Sequence, residues 1–221
     1  MKIKQLLPIA LFAAMLTPAA MAAGTTGTDS VQHDFTMTIS PYINITDLST
    51  NDAVEPTSVA TDYTTFTLNK SMSPKFKVVT NVKGDVVYLT AKTANSLPAL
   101  GGYTSGASGK CVIAFANETY ASDIDQSAVT GAITGTDETA SPNVIGIQFT
   151  FDETKFPVDK TGAHTPAGVA DATKGNIAYT IDNGAYNFTY AGATGPWNKS
   201  FSTLDENGTY KATITMSHSE I

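Results

Sequence analysis

Arginine is missing from this 221-residue sequence altogether: all thirteen basic residues are lysine, set against twenty acidic ones, for a formal net charge of −7. The lysines are scattered and build no basic patch. That excludes a nucleic-acid partner and disfavours an anionic membrane surface, both of which are held by clustered positive charge. Cysteine occurs once, as Cys111, so the chain has no internal disulfide and must be stabilised by core packing or by partners. In the context Cys-Val-Ile-Ala-Phe it reads as a small buried residue rather than a reactive thiol. The three histidines, His33, His164 and His218, are isolated, and none has a second ligand at metal-binding spacing. Without arginine or a Gly-x-Ser-x-Gly turn, nothing points to phosphate handling or nucleophilic acyl transfer. No catalytic residue, metal or cofactor is expected, and the chain does not read as an enzyme.

Long apolar runs are also lacking, with one short exception at the start. Lys2 and Lys4 precede the apolar stretch Leu6–Leu16, and Ala20-Met21-Ala22 forms a small-x-small cleavage box. This is the layout of a secretory signal peptide over residues 1–22. The apolar stretch is shorter than the roughly 20 residues that a membrane helix needs, so no membrane span is expected. Cleavage before Ala23 removes two lysines and leaves eleven against twenty acidic residues, a net charge of −9. The remainder is long enough for one all-β domain with a sizeable core.

What is abundant is Thr, Ala, Ser, Gly, Val and Ile in short alternating runs between turn residues, the pattern of an antiparallel sandwich. Phe35-Thr-Met37-Thr-Ile39 alternates, and Ile43 and Ile45 continue its register past Pro41. Further strands are expected at Thr64–Leu68, Phe76–Thr80, Val86–Thr90, Cys111–Phe115, Val144–Phe151, Ile177–Asp182, Ala185–Tyr190 and Tyr210–Met216, eight to ten in all. Lys83-Gly84-Asp85, Asn183-Gly184 and Asn207-Gly208 read as hairpin turns, the last joining Phe201–Leu204 to the final strand. In that final strand Tyr210, Ala212, Ile214 and Met216 share one face. Residues 94–110 and 121–142, rich in Gly, Ser, Ala, Thr and Asp, read as long loops, the second with a short strand near Val129–Ile133.

The carboxylate pairs Asp123/Asp125, Asp137/Glu138, Asp152/Glu153 and Asp205/Glu206 fall in or beside these turns and read as solvated charge. Trp197, Tyr186, Tyr190 and Phe201 offer either a sugar-stacking platform or, with more weight, cross-strand core pairs.

The most informative segment is the mature N-terminus, where small polar residues from Gly24 to Ser30 lead into Val31, Phe35, Met37 and Ile39. An alternating strand behind a polar leader is either the first strand of the chain's own sheet or a strand given to a neighbouring molecule. Here Asp34–Leu48, Phe76–Leu89 and Gly208–Met216 together resemble the major subunits of chaperone–usher fimbriae, closest in style to the disulfide-free alpha-type fimbriae of enterobacteria.

The resemblance implies an immunoglobulin-like antiparallel β-sandwich over residues 41–221 that is incomplete, with residues 23–40 as a protruding donor strand. It implies that Val31, Phe35, Met37 and Ile39 are donor plugs and that Tyr210, Ala212, Ile214 and Met216 line the acceptor side. The implied partners are copies of the same chain, a periplasmic chaperone, an outer-membrane usher and a host receptor. The implied route runs through the periplasm to the cell surface. The alternatives left open are a self-contained exported sandwich that binds a glycan or host protein, and an outer-membrane barrel.

Overall fold

The computed structural model describes residues 33–49, 70–136, 142–158, 165–195 and 197–220. The expected signal peptide, Val31, His164 and the strand at Thr64–Leu68 lie outside the described residues. The chain divides into two compact units, Met1–Ile39 and Ser40–Ile221. In the first unit, residues 33–39 belong to no sheet.

The second unit is built on antiparallel strands in chain order: β1 (Ile43–Asp47), β2 (Lys75–Thr80), β3 (Asp85–Thr93), β4 (Leu100–Thr104), β5 (Gly109–Asn117), the helix α1 (Gln126–Thr134), β6 (Val144–Phe151), β7 (Gly168–Asp171), β8 (Asn176–Ile181), β9 (Gly184–Thr189), β10 (Ala191–Gly192) and β11 (Tyr210–Ser217). A small sheet runs β1-β2-β9, and a large one runs β10-β6-β5-β11-β3-β8-β7, with β4 paired to β5. The all-β sandwich expected from the alternating runs is the fold the chain adopts.

Alternation explains which side chains fill the core. In β2, Phe76 and Val78 are buried while Lys77 is exposed; in β3, Val87, Leu89 and Ala91 turn inward. β5 and β6 are buried on both faces over most of their length and are correspondingly apolar there, in Cys111–Ala116 and Val144–Ile147. The two sheets meet through aromatic rings: Phe188 of β9 packs on Tyr179 of β8 at 5.1 Å, and Phe156 lies 4.9 Å from Phe188 and 5.9 Å from Tyr190. The two phenols satisfy each other inside this cluster, Tyr190 Oη donating to Tyr179 Oη at 2.9 Å.

None of the three expected hairpins forms. β2 and β3 flank Lys83-Gly84, yet β2 pairs with β1 and β9 while β3 pairs with β11 and β8. β8 ends at Ile181 and β9 begins at Gly184, yet they lie in different sheets. No strand covers residues 201–204, so Asn207-Gly208 leads from a turn into β11. A type I′ hairpin needs positive φ at both central residues, and of each Asn-Gly pair only the glycine has it. At Lys83-Gly84 and Asn183-Gly184 the chain changes sheet instead of pairing back on itself.

Both long loops also need correction. Residues 94–110 contain β4 and the start of β5, and residues 121–142 contain α1, so Val129–Ile133 is helical rather than extended. Asp125 caps the helix by accepting from Ala128 N at 2.9 Å, and Gly135 ends it in the left-handed conformation at φ 72°. Ala128, Val129 and Ala132 are buried against β4, β5 and β6. The glycines beneath them are packing residues: a Cβ on Gly146 would stand 2.1 Å from Ala132 O, and one on Gly101 2.6 Å from Ile133 Cγ2.

Candidate functional site

β11 carries the four residues expected on the acceptor side, and they do share a face. Met216 is in the core, while Tyr210, Ala212 and Ile214 are half-buried and pack against it. One edge of β11 is laddered to β3, pairing Ala212 with Thr93, Ile214 with Ala91 and Met216 with Leu89. Only Tyr210 and Lys211 pair with β5. From Ala212 to Ser217 the edge opposite β3 has no ladder partner among the described residues.

β1 has the same character in the other sheet. It pairs with β2 along one edge, from Ile43 with Thr80 to Asp47 with Phe76, and its other edge has no partner among the described residues. Ile43 and Ile45 face the core and are only half-buried. The two edges border one cleft of about 260 Å³, lined by Asp47, Ser49, Pro74, Phe76, Ala212, Thr213 and Ile214. The cleft has an apolar floor of Phe76, Ala212 and Ile214 and a polar rim. At that rim Asp47 accepts from Ser49 N at 2.8 Å, and hydrogen bonding from Ser49 holds the Asp47 carboxyl below its ordinary range. Ser49 Oγ in turn accepts from Lys75 N at 2.9 Å.

The base of β11 is braced by rings set edge to face: Phe201 lies 4.8 Å from Tyr210 and 5.3 Å from Trp197. Tyr210 Oη donates to Glu206 O at 2.9 Å, and burial pushes its phenol up to about 12. The expected aromatic platform is therefore split: Tyr186 and Tyr190 are in the core, and Trp197 and Phe201 stand half-buried beside β11.

Of the expected donor residues, Val31 lies outside the described residues. Phe35, Met37 and Ile39 belong to the first unit and are 89%, 87% and 76% exposed. Three large apolar residues in alternation with Thr36 and Thr38, all facing solvent, form an unsatisfied apolar stripe.

Two carboxylates expected in solvent are buried. Glu153 is enclosed and accepts from Tyr103 Oη, from Gly106 N at 2.7 Å and from Gly168 N at 3.3 Å, tying three chain segments together. Asp205 accepts from Ser202 N at 2.6 Å and from Asn143 N, and stands 3.6 Å from Lys199, whose Nζ donates to Val144 O. Little in a turn sequence marks such a residue in advance, because Tyr103, Gly106, Gly168 and Asn143 come from distant segments. Asp125 is the helix cap described above. Cys111 is fully buried, and desolvation pushes its thiol up to about 12. His218 Nε2 lies 2.7 Å from Asp85 Oδ1. Among the described residues no group of three or more His, Cys, Asp or Glu is placed to hold a metal ion, and no helix is long and apolar enough to cross a membrane.

Compared with protein-family models, with curated proteins and with solved structures, the chain matches none.

Proposed function

We propose that this protein is a structural subunit of a bacterial surface fimbria, assembled by giving the strand Phe35–Ile39 of one copy to the cleft between β1 and β11 of the next. The observation that carries the reading is the pair of unladdered edges, one per sheet, bordering a single cleft with an apolar floor. An extended chain laid there would gain main-chain hydrogen bonds along β11 while its alternate side chains reached the half-buried row of Ala212 and Ile214. The stripe of Phe35, Met37 and Ile39 has the matching period of two. Left open, such edges invite uncontrolled pairing, which supports a periplasmic chaperone and an outer-membrane usher as assembly partners and export through a cleaved signal peptide. Adhesion to a host receptor would be a property of the assembled filament.

The test compares the protein beginning at Ala23 with a version lacking residues 23–40, in unheated gels and by negative-stain microscopy, with a synthetic peptide of residues 29–41 added to the shorter form. Strand donation requires heat-labile oligomers of the longer form. It also requires a monomeric shorter form that gains about 2.7 kcal/mol when the peptide is present at a hundred times its Kd. A monomeric longer form together with an unfolded shorter one would assign the strand to its own sheet and leave a self-contained binding module.

A further inference from the structure

The large sheet has a second concavity, on the side that faces away from the sandwich core. Along β5, Cys111 and Ile113 point into the core, so Lys110 and Val112 point out, and Val112 pairs in register with Gln148 of β6. Ile133 and Thr134, in the last turn of α1, stand beside them. With Gly102 and Asn198 these residues enclose about 290 Å³. Gly102, at φ +60°, leaves the floor open, since a Cβ there would come within 3.3 Å of Val112 Cγ2.

The polar groups at this pocket have hydrogen-bonding capacity to spare. Asn198 Nδ2 donates to Ile133 O, which quiets the helix end and leaves Asn198 Oδ1 as an acceptor. The Gln148 amide, half-buried, and the Lys110 ammonium have no side-chain hydrogen bond or ion pair among the described residues. Among the described residues no carboxylate lines the pocket. A cation, an amide that both donates and accepts, and a free carbonyl oxygen thus converge over the aliphatic surface of Val112 and Ile133. Lys110 is the charged group among the described residues that line the pocket.

A few fixed polar groups over an apolar floor are the general form of a small-molecule site. The mixture of donors and acceptors matches ring hydroxyls, and the aliphatic floor matches the carbon face of a sugar ring. One exposed lysine is too weak to hold a simple anion unaided, but it can favour a charged sugar over a neutral one. We propose that this pocket binds a pyranose bearing a carboxylate, with the carboxylate at Lys110, the hydroxyls at Gln148 and Asn198 Oδ1, and the ring on Val112 and Ile133.

Saturation-transfer NMR on the full chain tests this, because it reads weak ligands whatever the size of the assembly. Glucuronate is the probe, glucose the neutral counterpart and acetate the simple ion. The expected result is competable transfer to the ring protons of glucuronate, about fivefold weaker binding of glucose, and no saturable acetate binding. Lys110→Gln should equalise glucuronate and glucose, and Gln148→Ala should weaken both, with circular dichroism unchanged. No transfer to glucuronate, a preference for glucuronate that survives Lys110→Gln, or acetate competing as well as glucuronate would each overturn the assignment.

Discussion

Truncating Phe35 gives the sharpest test of strand donation, because the two readings of that residue differ widely in magnitude. Phe35 is 89% exposed within its own chain. A substitution at a site that stays in solvent changes stability or binding by no more than about 0.5 kcal/mol. Full burial of a phenylalanine side chain, by contrast, is worth roughly 2–3 kcal/mol, and losing that weakens an equilibrium roughly 30- to 150-fold. The assay is fluorescence anisotropy of a labelled 29–41 peptide binding to the chain that lacks residues 23–40. The Phe35→Ala peptide should show the full loss, and Ile39→Ala a comparable one. Thr36→Ala and Thr38→Ala, on the opposite face of the same strand, should change Kd less than about threefold. Ile214→Asp on the acceptor chain should abolish binding without unfolding it, since Ile214 is only half-buried. If Phe35→Ala moved Kd by no more than Thr36→Ala does, the alternation would have no role in recognition and the donated-strand argument would fail.

Other outcomes follow from the interior. Glu153→Gln keeps the shape but removes a charge accepting from Tyr103, Gly106 and Gly168, and should lower stability by about 1–3 kcal/mol, read from the urea midpoint. Gly146→Ala forces α1 off the sheet, because the new methyl meets Ala132 O, and should lower Tm by several degrees. Cys111 should resist iodoacetamide at pH 8 in the folded protein and react fully in urea, in keeping with its burial and raised pKa. The carboxyls of Asp47, Asp152, Asp171 and Glu220 are lowered, chiefly by hydrogen bonds from Ser49, Thr154, Thr173 and Lys174 respectively. Their contribution is therefore complete above the unfolded carboxylate range, near pH 4, and is lost as pH falls through the folded values. The urea midpoint should fall between pH 4 and pH 2, and a midpoint that rose on acidification would contradict this sign.

Strand positions were legible in the sequence because alternation is a local property: β2, β5, β6, β8, β9 and β11 all fall within a few residues of the runs that announce them. Pairing was not legible. Lys83-Gly84 and Asn183-Gly184 specify a reversal, but which sheet receives the outgoing strand depends on which faces remain to be covered elsewhere. The helix was hidden by its composition of Ala, Thr, Gly and Ser, although Asp125 and Gly135 bracket it and Ala128, Val129 and Ala132 mark one helical face. For the candidate site, the shared face of Tyr210, Ala212, Ile214 and Met216 was readable from period two alone. The unladdered edges of β1 and β11 and the cleft walls from Pro74 and Phe76 were not, because an edge exists only by reference to strands far away in the chain.

The order of pairing also governs when this chain can fold. Val78 pairs with Tyr186, and Ala91 pairs with Ile214, so the central strand of the small sheet and one side of β3 wait for partners that are synthesised last. Closing such distant pairs is slow, and β1–β2 and β4–β5–β6, which can pair earlier, still lack the late strands that join the sheets together. A chain emerging N-terminus first, from a ribosome or through a secretion pore, would thus remain uncommitted until its final quarter appeared. Truncation anywhere in that final quarter should leave no stable subdomain behind.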